Sequence, residues 1–253
     1  MHTLIQRLKR DQIQFEGDLK FLNRWDFFMP DLSNRLDNLI PVGQYAGTLE
    51  AFQTGVKLRT RYEHLRQQAL DRNQTNLWAS GSNRVEETAR YVAAGFYGID
   101  WQDVATLHVI PETSDPGGDS LTPGVTCKRY RDNIDEDGHD QGYRKLSEFK
   151  STYLPAIAER LQRQNPQISL SETDVFTMQE ICGFEILAKG TSPWCDVFSQ
   201  EEWLNFEYAR DLLHFYRAGA GNKYGPTMGM LLLNATKDLL NQGPEVGPIF
   251  FSL

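Results

Sequence analysis

Arg84 is the residue whose type and position point most directly to chemistry. It follows an apolar segment, 77–79, that predicts a short strand, and a turn at 80–83 with the sequence Ser-Gly-Ser-Asn. A helix is predicted to begin there, with Asn83 as N-cap and Glu86 completing a capping-box-like pair. Free N–H groups and the helix dipole favour an anion at such a position, and a guanidinium adds bidentate hydrogen bonds suited to phosphate. Two interpretations remain open, a phosphate ligand and a surface arginine after a helix cap.

A second candidate for catalysis is the His139-Asp140 pair in the acidic loop 135–142. No apolar strand precedes it, which argues against a strand-positioned proton donor. The same loop places Asn133, Asp135, Asp137 and Gly138 at calcium-loop spacing, but an arginine stands where an EF-hand needs a bidentate glutamate. We therefore interpret it as a solvated acidic loop.

The other histidines are His2, His64, His108 and His214. His108 lies in a predicted strand and His214 in an apolar helix, so both are interpreted as hydrogen-bonded packing residues. No His-x-x-x-His or Cys-x-x-Cys spacing indicates a metal site, and neither a metal nor a cofactor is expected.

Cys127, Cys182 and Cys195 are the three cysteines, an odd number that leaves one thiol unpaired in a secreted protein. Three buried thiols in a cytosolic protein are the alternative. Asn73 and Asn234 each begin an Asn-x-Thr sequon, which favours secretion only weakly, since such tripeptides are frequent by chance. The first ten residues are basic and amphipathic without an apolar segment, so no signal peptide is predicted in this chain.

The elements around Arg84 form a strand–helix–strand unit, with a second strand predicted at 104–110. Such a unit is typical of an α/β layer. Other expected elements are helical patterns at 3–15 and 44–70, a surface loop at 112–142, mainly helical segments at 143–190, 200–217 and 226–241, and a buried strand at 248–253.

Composition and net charge argue against nucleic-acid and membrane partners. The chain has 253 residues, 40% of them hydrophobic, with a net charge of −8. That balance is ordinary for a globular protein, and its negative field argues against nucleic acid. No segment approaches the roughly 18 apolar residues of a membrane span, so no membrane partner is expected. The oligomeric state is not readable from the sequence.

The segment 78–89 (Trp-Ala-Ser-Gly-Ser-Asn-Arg-Val-Glu-Glu-Thr-Ala) resembles the second phosphate-binding segment of fungal histidine acid phosphatases and phytases. Further blocks follow in that family's order, at 17–25, 61–65, 192–198, 202–203 and 241–244. The resemblance covers nearly the whole chain. It implies hydrolysis of small phosphomonoesters, phytate among them, at acidic pH.

In the family that this chain resembles, a histidine of an Arg-His-Gly-x-Arg-x-Pro motif attacks phosphorus and arginines hold the phosphoryl oxygens. An aspartate of a His-Asp pair then protonates the leaving group. Arg84 matches the arginine of the middle segment. This chain contains no Arg-His-Gly, and it ends in the apolar run after which the His-Asp pair is expected. A truncated gene product is therefore one expectation, and a catalytically inert phosphate-binding or interaction protein is the alternative.

The resemblance also implies a disulfide between Cys182 and Cys195, glycans on Asn73 and Asn234, and a secreted or cell-wall location. The implied fold is a three-layer α/β/α sandwich with an inserted, mainly helical subdomain. We expect residues 1–111 and 200–253 to form the α/β core and residues 112–199 to form the loop and helical subdomain.

Overall fold

The computed structural model describes residues 1–9, 13–28, 39–41, 43–73, 75–113, 121–133, 137–243 and 250–252. Its sheet has three parallel strands in the order β2-β1-β3: β1 (Asn76–Ser80), β2 (Thr106–Ile110) and β3 (Phe250–Ser252). Helix α4 (Asn83–Tyr97) connects β1 to β2. The predicted α/β class and strand–helix–strand unit are confirmed.

The remaining helices account for most of the described chain. They are α1 (His2–Lys9), α2 (Gly47–Arg61), α3 (Glu63–Asp71), α5 (Pro123–Thr126), α6 (Lys128–Arg131), α7 (Asp140–Gln164), α8 (Glu172–Lys189), α9 (Gln200–Arg217) and α10 (Gly225–Asn241). Three 3-10 helices lie at Gly17–Asn23, Trp101–Asp103 and Pro193–Val197. No helix within the described ranges is long and apolar enough to cross a lipid bilayer.

Two of the expected elements were wrong in detail. The single helix predicted at 44–70 is two helices, because Tyr62 leaves the helical conformation (φ −122°, ψ 31°) between α2 and α3. The region 112–142 is not only a surface loop, since its described part contains α5 and α6 and buries Tyr130, which is 2% exposed. The mainly helical character predicted for 143–190 is confirmed, and the segment contains two helices, since α7 ends at Gln164 and α8 begins at Glu172.

The chain divides into two compact units. We call Met1–Asn34 with Asp140–Asn222 the helical unit, and Arg35–His139 with Lys223–Leu253 the sheet unit. These limits differ from the expected division into 1–111 with 200–253 and 112–199. The difference arises because α1 contributes Leu4, Ile5 and Leu8 to the core formed by α7 and α8, and α9 also packs along α7. The expected division stays a prediction about domains.

The core of the helical unit is built on aromatic side chains around Trp194, which is fully buried. The rings of Trp25 and Phe21 meet it edge to face, with centroids 5.4 and 5.0 Å away. The 3-10 helix that carries Trp194 is joined to α8 by a disulfide between Cys182 and Cys195, whose Cα atoms are 5.1 Å apart. Such edge-to-face contacts add to the free energy of burial, and the covalent link restricts the unfolded chain.

A buried carboxylate, Glu185, ties this core together. It is 1% exposed and accepts hydrogen bonds from Trp25 Nε1 (2.9 Å), Ser192 Oγ (2.7 Å) and Lys189 Nζ (3.1 Å). A buried charge is tolerated only where such donors replace its water. The network therefore fixes the segment around Trp25 against α8.

Side-chain caps mark the N-terminal ends of α8 and α9. Ser171 and Ser199 each form a capping box with the residue three positions later, Asp174 and Glu202 respectively. Burial raises the pKa of the Asp174 carboxyl, but hydrogen bonds from Ser171 and Arg7 outweigh it and hold that pKa below its usual value.

In the sheet unit, α2 crosses α4 at two facing glycines, Gly55 and Gly95. A Cβ on Gly95 would overlap the carbonyl oxygen of Phe52, and one on Gly55 would overlap that of Val92. The glycines therefore allow the two helix backbones to approach each other. The other face of α2 exposes Leu49 and Val56.

Helices α9 and α10 each bury only part of their apolar surface. On α9, Leu204, Tyr208 and Phe215 are about half exposed, whereas Ala209 and Leu213 make the buried contacts. On α10, Met228 is 7% exposed, whereas the neighbouring apolar side chains Met230, Leu233 and Leu240 are more than half exposed. The periodicity that predicted helices at 200–217 and 226–241 therefore located both elements correctly, but the extent of burial depends on the neighbours that cover each helix.

Candidate functional site

The strand–turn–helix around Arg84 lies at the carboxyl end of β1. Strand β1 extends one residue further than predicted, to Ser80, and the turn continues at Gly81. The N-cap of α4 is Ser82, so the prediction of Asn83 as N-cap was wrong by one position. Ser82 has extended backbone angles (φ −85°, ψ 140°) and its side chain makes no capping hydrogen bond to a described residue. The first N–H groups of a helix have no acceptor inside the helix, so this turn presents backbone donors to a ligand.

Gly81 places this turn beside the end of the neighbouring strand. A Cβ at Gly81 would lie 3.4 Å from the carbonyl oxygen of Ile110 and 3.6 Å from the backbone nitrogen of Glu112. Both belong to the carboxyl end of β2 and the residues just after it. In open parallel sheets, ligands bind beyond the carboxyl ends of the strands.

Arg84 occupies the second position of α4 and its side chain is exposed. Its carbonyl oxygen accepts a hydrogen bond from Thr88 Oγ1 at 2.8 Å. Within the described part of the chain its guanidinium has no hydrogen-bond or ion-pair partner. A guanidinium in this position is available to an anion at the helix N-terminus.

The acidic side chains in the first turns of α4 are engaged elsewhere. Glu86 pairs with Arg90, whose Nε lies 3.1 Å from its Oε1, instead of completing a capping box. Glu87 accepts a hydrogen bond from the backbone nitrogen of Leu39 at 3.3 Å. Neither carboxylate forms an ion pair with Arg84 across the ranges that the structure describes, so neither one neutralises the positive charge of its guanidinium.

Ser80, directly before this turn, is a polar residue that the sequence patterns did not mark as a candidate. It is 1% exposed, and its hydroxyl oxygen has no hydrogen-bond partner among the described residues. The available signal was a polar residue at the last position of an otherwise apolar strand, directly before a glycine.

The histidines lie apart from this turn in the sequence. His108 is in the middle of β2, where its Nε2 is 2.8 Å from Asn76 Oδ1 and its ring stacks on Trp78 with centroids 5.7 Å apart. His64 is exposed on α3, and His214 is exposed on α9 with its Nε2 3.4 Å from Arg210 Nη2. The side chain of His2 is outside the described part of the structure. We assign none of these histidines to the Arg84 turn.

In the His139-Asp140 pair, His139 contacts Tyr130 and Asp140 begins α7. The backbone nitrogen of His139 donates to the carbonyl oxygen of Tyr130 at 2.9 Å, and its ring meets that of Tyr130 edge to face. Asp140 is the first residue of α7, where a carboxylate is favoured by the helix dipole. In the same loop, Asp137 forms an ion pair with Lys223 at 3.0 Å, whereas Asp135 lies outside the described residues.

The described residues contain no group of three or more histidine, cysteine, aspartate or glutamate side chains that could hold a metal ion. Cys127, between α5 and α6, is a free, half-buried thiol. The two sequon asparagines, Asn73 and Asn234, are both exposed, the first in the turn before β1 and the second on α10. Asn73 has a positive φ of 54°, which suits asparagine in a tight turn.

Comparison with known proteins identifies the class. Residues 1–246 match the model of the histidine phosphatase superfamily, branch 2, and the chain therefore belongs to that family. It is 34% identical to a phytase of Candida albicans and 32% identical to an acid phosphatase of Komagataella pastoris, in each case over the whole of this chain and 53% of the relative. It is 31% identical to the constitutive acid phosphatase of Saccharomyces cerevisiae, over 90% of this chain and 48% of that protein.

The fold agrees with these matches. The crystal structure of the phytase from D. castellii superposes with a TM-score of 0.84 at 33% identity, covering 98% of this chain and 53% of that one. The predicted resemblance to fungal histidine acid phosphatases and phytases is confirmed. The chain spans about half the length of these relatives.

Proposed function

We propose that this chain is the phosphate-binding portion of an acid phosphatase that hydrolyses phosphomonoesters, phytate among them. Arg84 holds the phosphoryl oxygens in this proposal. The observation that carries it is the exposed Arg84 guanidinium, without a partner among the described residues, at the N-terminus of α4 and the carboxyl end of β1.

Two kinds of support favour a phosphate ester over another anion. A planar guanidinium and successive backbone N–H groups match the tetrahedral arrangement of phosphate oxygens. The relatives in yeasts carry the names phytase and acid phosphatase, which makes phosphate the expected anion. In a phosphoryl transfer, the positive charge of Arg84 would offset the charge that spreads over the equatorial oxygens.

We assign no residue of this chain to the attack on phosphorus or to the protonation of the leaving alcohol. A catalytically inert phosphate-binding protein of the same fold is the second candidate function. It is favoured by one specific observation, the lack of an Arg-His-Gly sequence in the chain. Both candidates require phosphate to bind at Arg84, and turnover distinguishes them.

The test measures phosphate binding and turnover by this chain near pH 5. Inorganic phosphate is expected to raise its melting temperature, because a ligand that binds only the folded state stabilises it. Arg84→Ala should weaken phosphate binding at least about tenfold, since a hydrogen bond to a charged group contributes about 1.5–3 kcal/mol. Arg90→Ala, on the same helix but paired with Glu86, is the control and should bind normally.

Turnover of p-nitrophenyl phosphate decides between the two candidates. Hydrolysis that is lost in Arg84→Ala supports an active phosphatase. Phosphate binding without hydrolysis supports the inert protein. If millimolar phosphate does not stabilise the chain and the ester is not hydrolysed, both candidates are wrong for this chain.

The location is also a proposal. A secreted or cell-wall protein is supported by the Cys182–Cys195 disulfide, because disulfides persist in oxidising compartments. It is further supported by the exposure of Asn73 and Asn234, the two asparagines that we propose as glycan acceptors. A small phosphorylated molecule is the proposed partner.

A further inference from the structure

The hydroxyl of Ser80 is buried without a partner among the described residues. The residue is 1% exposed, and its oxygen has no hydrogen bond within those ranges. Leaving a buried polar group unsatisfied costs about 1–3 kcal/mol, so native structures rarely retain one without a reason. The reason at this position depends on what lies beside Ser80.

Ser80 is the last residue of β1 and pairs with Ile110, the last residue of β2. It therefore lies at the carboxyl edge of the parallel sheet, where ligands bind in folds of this kind. Only the turn 81–83 separates it in sequence from Arg84. The residue with the unsatisfied hydroxyl therefore ends the strand, and the guanidinium without a described partner begins the helix, that this turn connects.

We propose that Ser80 is a further phosphate-binding residue, whose hydroxyl donates a hydrogen bond to an oxygen of the phosphate that Arg84 holds. The inference rests on the proposed function. Phosphate oxygens are strong acceptors, and a serine hydroxyl can rotate its proton toward one. A bound phosphate would satisfy the hydroxyl, so the cost of leaving it unpaired would be recovered on binding.

The turn after Ser80 gives the phosphate a route to this hydroxyl. Gly81 and Asn83 are exposed, and Gly81 has no side chain to block a small shift of the turn. The Ile110 carbonyl oxygen, the group nearest to a Cβ at Gly81, would be 3.4 Å away, an ordinary van der Waals distance. A small shift of this exposed turn is therefore part of the proposal.

Tyr97 provides a matched comparison on the helix that follows. Its hydroxyl is also buried and unpartnered among the described residues, and burial raises the pKa of Tyr97 to about 12, so it stays neutral. Tyr97 is the last residue of α4, which begins at Asn83. At 1.5 Å per residue it lies about 20 Å from the helix N-terminus, too far to contact a phosphate there.

The experiment measures the dissociation constant of inorganic phosphate by calorimetry for the whole chain and for Ser80→Ala, Tyr97→Phe and Arg84→Ala. Ser80→Ala should weaken binding about tenfold, because the lost hydrogen bond is made to an anion. Tyr97→Phe should bind like the original chain. Without phosphate, both variants should melt at the original temperature or above it, since each loses an unsatisfied polar group.

The possible outcomes test the role of Ser80 and the proposed function separately. Weakened binding in Ser80→Ala with an undiminished melting temperature supports the assignment. Affinity within about twofold of the original, in a chain that still requires Arg84, overturns the role of Ser80 and leaves the proposed function intact, since twofold is well below the effect of one such hydrogen bond. Failure of the original chain to bind phosphate overturns the proposed function and, with it, this inference.

Discussion

The helical unit and the sheet unit treat buried polar groups in different ways. In the helical unit, the fully buried amides of Asn165 and Gln179 both donate and accept hydrogen bonds, with Glu16 and Leu161 and with Tyr153 and Glu202 respectively. In the sheet unit, the hydroxyls of Ser80, Tyr97 and Thr122 are buried without partners among the described residues. Trp194 Nε1 is the corresponding group in the helical unit.

We interpret the satisfied polar groups as contributing to stability, and the unsatisfied hydroxyl of Ser80 as contributing to ligand binding. A satisfied polar network stabilises one arrangement of the chain, and the folded state loses stability when any member of the network is removed. An unsatisfied donor beside an exposed arginine indicates a ligand instead. We therefore predict that removing a member of the satisfied network around Glu185 will lower stability, and that removing the Ser80 hydroxyl will weaken phosphate binding.

The largest expected effect tests the network of the helical unit. Glu185→Leu leaves Trp25 Nε1 and Ser192 Oγ without their acceptor and should lower the free energy of unfolding by about 3–5 kcal/mol in urea denaturation. Glu159→Leu is the control, because its ion pair with Arg163 is about 70% exposed. It should change the stability by less than about 0.5 kcal/mol. Equal effects of the two substitutions would contradict a stabilising role for the buried network.

A smaller effect tests the packing of the sheet unit. Gly95→Ala forces a methyl group against the Phe52 carbonyl and should destabilise the chain by about 1–3 kcal/mol. Gly229 lies inside α10, where a Cβ would meet no atom of the described residues within 4 Å. Gly229→Ala should instead stabilise by up to about 1 kcal/mol, because alanine has the higher helix propensity. Urea denaturation of both variants checks the pair. A Gly95→Ala variant as stable as Gly229→Ala would show that α2 and α4 do not approach as closely as the structure has them.

The smallest effect on stability concerns the sequons, both of which lie in the sheet unit. If the chain is secreted and glycosylated as proposed, Asn73→Gln should remove one glycan, seen as a change in mass on a gel before and after endoglycosidase treatment. Because the side chain is exposed, the melting temperature of the deglycosylated protein should fall only slightly, mainly because Asn73 has a positive φ. An unchanged mass would exclude glycosylation at Asn73.

Local sequence signals predicted the elements around the site well. Strand β1, helix α4 and strand β2 were all expected, because each is encoded by short-range apolar patterns and the helix start by capping residues. The family and the α/β class followed from the resemblance of the segment around Arg84 and were confirmed by comparison. The exact N-cap was missed, because Ser82 and Asn83 are both good capping residues and only backbone angles distinguish them.

Features that depend on contacts between distant parts of the chain could not be predicted from sequence patterns. The exposed fractions of Leu204 and Tyr208 depend on which neighbours cover α9, which its periodicity does not encode. The assignment of α1 to the helical unit also depends on contacts with residues more than a hundred positions away.

By itself, the sequence determined that Arg84 lies in the first turn of a helix that follows a strand, because that arrangement is local. Only the tertiary structure decided that Glu86 and Glu87 are engaged elsewhere and that Ser80 is buried without a partner among the described residues. Burial and pairing depend on groups brought together from distant parts of the chain, such as Leu39 beside Glu87 and Ile110 beside Ser80.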